Sequence, residues 1–377
     1  MTFIRRTYPS ALLLTALTLP TAAQSEDGEL NELRQRVDAL EAQLEATASA
    51  IENGMGTAGA SDTTLGGYGE LHYNQLDSGN ELDFHRFVLF FGHRYSDRIR
   101  LHMELELEHA LAGDGAPGEV ELEQAAVEFD LTDRHTLTGG LFLLPVGILN
   151  ETHEPPTFYG VERNPVEKNI IPTTWWEGGA MLSGEILPGW RYDLAVTSGL
   201  NVQTDGDKAY LIRNGRQKVA EASAEELAYT AGLSWTGLPG VTVGVAYQHQ
   251  SDVTQSAEGV GANLLATHAI VQRGPVGLRA LYASWDLDGD APKAVGRDEQ
   301  TGWYIEPSFR ITPKFGVFAR YNEWDNEAGN DADTKIEQTD VGVNFWPHPD
   351  VVIKADYQDQ EGAKDDDGFN LAIGYQF

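Results

Sequence analysis

Arg98-Ile-Arg-Leu-His-Met-Glu-Leu-Glu-Leu-Glu108 alternates polar and apolar side chains without a break. Ile99, Leu101, Met103, Leu105 and Leu107 point one way. Arg98, Arg100, His102, Glu104, Glu106 and Glu108 point the other, because an extended strand turns successive side chains to opposite faces. A strand with that contrast divides water from an apolar phase. Looser alternation returns in 227–235, 241–247, 351–357 and 369–377. The longer of these runs approach the roughly 9–11 residues that a tilted transmembrane strand needs.

The connections repeat this rhythm. Short ones at 95–98, 132–134, 188–189, 237–240, 273–274, 312–314 and 347–350 alternate with longer polar ones at 77–80, 111–118, 146–176, 200–224, 251–260, 287–298, 326–334 and 361–367. Seven tight turns and eight looser loops separate sixteen strands, an even number with unequal loops at the two ends, as in outer-membrane barrels. The sequence therefore predicts an all-β protein, a 16-stranded antiparallel transmembrane β-barrel over 65–377. Trp190, Trp235, Phe309, Phe315 and Phe345 flank the short turns, and Tyr247, Trp285, Tyr321, Trp324 and Tyr357 lie near the long loops. Both sets fit interfacial aromatic girdles.

Ahead of the barrel, Arg5 and Arg6, an apolar stretch over 11–19 and Thr21-Ala22-Ala23 read as a signal peptide over 1–23. Leu30, Leu33, Val37, Leu40, Leu44, Thr47 and Ile51 then recur at alternating spacings of three and four, the seam of a coiled coil. A lone helix of that length is marginal in water. So 24–52 is expected to be a periplasmic helix through which Leu30, Leu33, Val37, Leu40, Leu44 and Ile51 join copies of the chain, as a dimer or trimer. Residues 53–64 form a small, polar linker.

The 377 residues carry 26 Lys+Arg against 58 Asp+Glu, a net charge of −32, and no cysteine. That excludes disulfide frameworks and thiolate metal sites, and it argues against a nucleic-acid partner. Neither a G-x-S-x-G, an H-E-x-x-H nor a phosphate-cradling loop occurs, so no enzyme is expected. If the apolar alternates meet lipid, the lumen receives Arg86, Arg100, His102, Glu104, Arg191, Asp193, Arg279, Glu306, Arg310, Arg320, Lys354 and Asp356. The long, non-repetitive stretch 146–176 is expected to fold inward and narrow this channel, presenting Glu151, His153, Glu154, Glu162, Arg163, Glu167 and Lys168 to the charged wall. His153 between Glu151 and Glu154 reads as a solvated cluster, since zinc needs three or four ligands, and neither metal nor cofactor is expected. The acidic runs 286–290 and 365–367 either share divalent cations with lipopolysaccharide or keep a rim hydrated.

The chain resembles the phosphate-selective porin O/P family of bacterial outer-membrane porins. The resemblance lies in the leader, the short coiled coil, the strand count, the terminal Phe377 and the runs 140–150, Phe158-Tyr-Gly160 and Trp175-Trp-Glu-Gly-Gly179. It implies a homotrimer in the outer membrane with one channel per subunit and, in the named members, an arginine ladder with a lysine cluster that favours phosphate. Here Arg163 and Lys168 stand against Glu151, Glu154, Glu162 and Glu167, so channel function is carried over and the sign of selectivity is not. The expected partners are further copies of the chain, membrane lipid, lipopolysaccharide and ions or small hydrophilic solutes, with phosphate or other anions among them. The competing reading is a structural envelope protein whose coil spaces or tethers the outer membrane.

Overall fold

The computed structural model describes residues 62–377 apart from residue 256. The expected leader, the heptad seam and all but the end of the linker lie outside the described residues. Strands β1 to β8 run Thr63–Leu76, Gly79–Ser96, Ile99–Glu108, Val120–Thr132, His135–Leu143, Trp176–Leu187, Trp190–Thr197 and Ala228–Leu238. Strands β9 to β16 run Val241–Gln250, Ala262–Arg273, Val276–Leu287, Glu299–Thr312, Phe315–Asp325, Ile336–His348, Val351–Gly362 and Gly368–Gln376. Each strand pairs antiparallel with its neighbours in the chain, and β1 pairs β16 from Tyr68 opposite Gln376 to Leu76 opposite Gly368, closing the barrel. Closure removes every open edge, which lipid could not hydrogen-bond.

Alternation in sequence becomes alternation in burial. Leu105 is 44% exposed between Glu104 at 0% and Glu106 at 4%. The apolar set faces outward and the charged set inward. One end of the barrel carries only short turns, and the other carries the long connections, with 144–175 and 198–227 the longest. The structure differs from expectation at 77–80, which shrinks to Asp77-Ser78, and β1 already includes Thr63 and Thr64. Trp285 and Trp324 are corrected as well: they are buried inside the barrel rather than in the outer girdle. Trp285 Nε1 donates to Ile170 O at 3.0 Å, so the ring anchors a loop inside the wall.

Strict alternation fails at two bulges. Glu70 pairs Arg86 and His72 pairs Asp83, so Phe84 and His85 together oppose Leu71. In β4, Gln124 pairs Glu104 and Leu122 pairs Leu105, which leaves Glu123 as the extra residue. A bulge re-aims the side chains beside it. Asp83, His85 and Arg86 thus all reach the interior, as do Glu123 and Gln124.

The interior is not uniformly wet, a second departure from expectation. The inward residues of β9 to β11 include Ala246, Ala262, Leu264, Ala266, Leu281, Ala283 and Trp285. They bury Val166, Ile170, Ile171 and Trp175 from 144–175 and Leu200, Val202, Tyr210 and Ile212 from 198–227. Apolar loop side chains folded into a barrel lose water on every side, and that burial drives both loops inward.

Candidate channel constriction

Loop 144–175 crosses the barrel and is held from both walls. A short helix, α1 (Val166–Asn169), forms its inner turn, and Asn164 Oδ1 accepts the Glu167 N–H at 2.8 Å. Glu167 Oε1 accepts the N–H groups of Ile148 at 2.6 Å and Leu149 at 2.7 Å, while Oε2 accepts from Asn164 Nδ2 and Tyr304 Oη. Gly147, at φ 84°, leaves that carboxylate room: a Cβ there would overlap Glu167 Oε1. Glu167 is therefore a clamp within the loop, and not a charge turned to the opposite wall as expected.

The far side of the loop lies along β11 to β16. Arg279 Nη2 donates to Thr157 O at 2.7 Å, and Asn344 Nδ2 to Phe158 O at 3.1 Å. The Val161 N–H donates to Asp356 at 2.6 Å, and Lys354 Nζ sits 3.5 Å above the Phe158 ring. Arg320 bonds Asp340 at 3.0 Å and lies 3.4 Å from Glu306. Arg310 stacks 3.5 Å over Trp346. On the near side, His153 is buried, its Nε2 being 3.3 Å from Glu104 and 3.8 Å from Glu123. It pairs with the wall, which corrects the expected solvated cluster with Glu151 and Glu154.

All twelve wall residues named for the lumen point into the barrel. Glu306, Arg320, Lys354 and Asp356 are buried against the loop. Arg100, bonded to Glu128 and Asp130, and Arg191, bonded to Asp193, line a cavity of about 760 Å³ in the short-turn half together with His102 and Glu151. Glu104 and Glu154 line an adjoining one of about 430 Å³. In the long-loop half, a cavity of about 540 Å³ is lined by His72, Glu162, Arg163 and Lys168. Between the halves sits Arg86, 3.0 Å from Glu70 and 3.3 Å from Glu106, with all three buried.

The second inward loop was read only as a long connection, yet it carries charge to the constriction. Lys218 Nζ pairs with Glu119 at 2.8 Å and also with Glu121. Arg213 and Arg216 donate to the carbonyls of Lys168, Thr173 and Thr174, and Arg163 Nη1 donates to Thr174 Oγ1 at 2.7 Å. Among the described residues, Arg163, Arg213 and Arg216 make no ion pair with a carboxylate. Burial, with Arg216 and Arg163 alongside, pushes the Arg213 guanidinium down to about 9. Opposite them stand Glu104, Glu106 and Glu108 on β3 and Glu119, Glu121 and Glu123 at or near the start of β4, with Arg216 in electrostatic reach of Glu121, Glu123 and Glu108. One wall is acidic and the facing loops are basic. The sequence signal was available: in so acidic a chain, 208–218 holds Lys208, Arg213, Arg216 and Lys218 beside apolar Tyr210, Leu211 and Ile212.

Of the acidic outer runs, Asp366 accepts the N–H and the hydroxyl of Ser78, and Asp367 accepts the Gln360 N–H. These carboxylates tie down loop backbone.

The barrel matches solved outer-membrane channels. The anion-selective porin of Comamonas acidovorans superposes with a TM-score of 0.62 at 10% identity, over 84% of this chain and 99% of that one. The channel DcaP of Acinetobacter baumannii gives 0.60 at 12%, over 84% and 97%. OmpF of Salmonella typhi, solved with daunomycin, gives 0.59 at 13%, over 84% and 97%. At those identities the likeness is one of fold. An uncharacterized protein of Aquifex aeolicus (strain VF5) is 29% identical over 357 residues, covering 83% of this chain and 80% of its own. Residues 64–376, nearly the whole barrel, match the family model for phosphate-selective porin O and P, and the chain belongs to that family of outer-membrane porins.

Proposed function

We propose that the protein is a passive outer-membrane channel for ions and small hydrophilic solutes, with local preference for anions at a constriction built by two inward loops. The supporting observation is the group formed by Arg163, Arg213 and Arg216. Among the described residues they have no carboxylate within ion-pair distance, whereas Glu70 and Glu106 neighbour Arg86, Glu119 and Glu121 neighbour Lys218, and Glu306 neighbours Arg320. Uncompensated guanidinium groups in a low-dielectric setting attract a passing anion more strongly than the distant net charge repels it, because salt screens beyond about 8 Å. The acidic strand pair facing them sets a field across the passage, which orients dipolar solutes. Arg100, Arg191 and Glu104 act in the same way where they line the short-turn cavities.

The assembly we propose is a homotrimer, joined by the N-terminal heptad seam and spanning the membrane with its short turns in the periplasm. OmpT of Vibrio cholerae, with a TM-score of 0.55, has been solved in a trimer form. Planar-bilayer recording under a potassium chloride gradient tests the reading. Discrete channel steps with a reversal potential of anion sign are expected. A silent bilayer would remove the channel, and a cation-sign potential would remove the arginine argument.

A further inference from the structure

The bulge at Phe84 and His85 turns His85 into the barrel beside His72, and the two imidazole rings stack at 4.7 Å and 12°. His72 Nδ1 lies 2.9 Å from Glu162 Oε1 on the inward loop. One ligand atom from each of His72, His85 and Glu162 falls within 4.8 Å of the others. We propose that these three residues form a binding site for a borderline divalent transition metal, zinc foremost, on the wall of the long-loop cavity.

The donor set argues for the class of ion. Two imidazoles and one carboxylate suit zinc, copper or nickel, whereas calcium and magnesium take oxygen ligands. Zinc bonds of about 2.0–2.1 Å place tetrahedral ligand atoms roughly 3.4 Å apart, which small side-chain movements reach from the present spacing. Carboxylates stand beside the other ring nitrogens. Asp83 Oδ2 is 3.2 Å from His85 Nδ1, and Glu70 Oε2 is 3.1 Å from His72 Nε2. Carboxylates behind the ligating histidines fix the rings and raise their basicity, as in the outer shells of zinc sites. Local charge agrees: Glu70, Asp83 and Glu162 surround the two imidazoles, with Arg86 bonded to Glu70 and His109 to Asp83. Glu162, bonded to His72, is left to face a cation, whereas two protonated imidazoles stacked face to face would repel. Three protein ligands leave the fourth position toward the cavity, an open site from which the metal can exchange.

The sequence hid this site because His72, His85 and Glu162 are far apart along the chain, and alternation alone would not bring His85 and Arg86 both inward. Purified full-length protein in detergent, stripped with a chelator and titrated with zinc alone, tests it. One zinc per chain is expected, with affinity falling at least tenfold in Glu162→Gln and His85→Asn and unchanged in His249→Asn on β9. X-ray absorption on the zinc-loaded wild type needs no variant and should show two imidazoles in the first coordination sphere. Folded wild type that retains no zinc, equal affinity in wild type and both ligand variants, or an oxygen-only sphere would overturn the proposal.

Discussion

Glu167 Oε1 accepts the backbone N–H of Ile148 at 2.6 Å, across nineteen residues of a loop that crosses the barrel. The same oxygen takes the Leu149 N–H, so one buried carboxylate closes the loop into a unit, and its other oxygen accepts from Tyr304 on the β12 wall. Charge-assisted bonds of this kind contribute roughly 1.5–3 kcal/mol each, and the orphaned N–H groups add a desolvation cost when the acceptor is removed. Glu167→Ala should therefore lower the barrel's unfolding temperature in detergent and raise its single-channel conductance, with about 3 kcal/mol lost. A wild-type conductance in Glu167→Ala would mean that the wall contacts alone hold the loop.

The strand bounds, the even count and the inward loop were legible because they rest on period two and on turn residues, both local properties of the chain. The twelve inward polar residues followed from the same parity. Asp83, His85 and Glu123 did not, because the bulges at Phe84-His85 and at Glu123 shift the parity and no Gly or Pro marks either place; Glu70 and His72 keep the parity of β1, but its outward positions include Gly67 and Gly69, so the apolar face is too faint to read. Trp285 and Trp324 misled for a related reason. Aromatics near loop ends suit a girdle as well as an anchor, and only the packing of Ile170 and Val166 against the inner wall decides between them. Glu167 looked like one more loop charge, since two of its partners are backbone N–H groups and Tyr304 lies far along the chain, and no local side-chain pattern records either.

The outward face makes its own prediction. Leu105 and Leu371 are 44% and 49% exposed, and each stands beside a buried polar residue, Glu104 and Asn370. An arginine at a mid-membrane lipid-facing position costs about 2–4 kcal/mol. Leu105→Arg and Leu371→Arg should each reduce folding into vesicles by that order, read as the urea midpoint of the folded band, while His102→Lys, which puts a charge on the cavity-lining face of the same strand as Leu105, should fold nearly as well as wild type. Equal tolerance of both kinds of change would mean that the apolar alternates do not face lipid.

Replacing Arg163 and Arg216 together with glutamine should move the reversal potential toward cation preference and weaken inhibition of chloride current by added phosphate. Among the described residues, buried nitrogens of both guanidinium groups, Nε of each and Nη2 of Arg163, make no hydrogen bond, and Arg216 lies in electrostatic reach of Glu108, Glu121 and Glu123 and Arg163 of Glu106. Lys218→Gln is the instructive comparison. Lys218 is balanced by Glu119 and Glu121, so its removal frees negative charge and should shift the potential in the same direction, but with a smaller loss of thermal stability because the pair is partly solvent-exposed. If the double variant leaves the reversal potential unmoved, the passage lies elsewhere in the barrel.

Glu151 gives the pH dependence. Its side chain opens on the short-turn cavity, but that cavity lies inside the protein wall. The enclosure, and after it the negative charge of Asp193, pushes the carboxyl up to about 7 against the opposing pull of Arg191. A carboxyl raised in the folded state is neutral below that value and negative above it. Between pH 6 and pH 8 the cavity therefore gains one negative charge beside Arg100 and Arg191. Anion preference should be greatest at the acidic end and decline as the pH rises through 7. Stability moves in the same sense, because the folded state holds the proton that the unfolded chain releases near 4.5, so this group favours the folded barrel less as the pH climbs from 4.5 to 7. Glu151→Gln should flatten both trends and hold the acid-side selectivity at every pH. Reversal potentials recorded at pH 6, 7 and 8 in the two proteins check it, and parallel curves would assign the titration to another group.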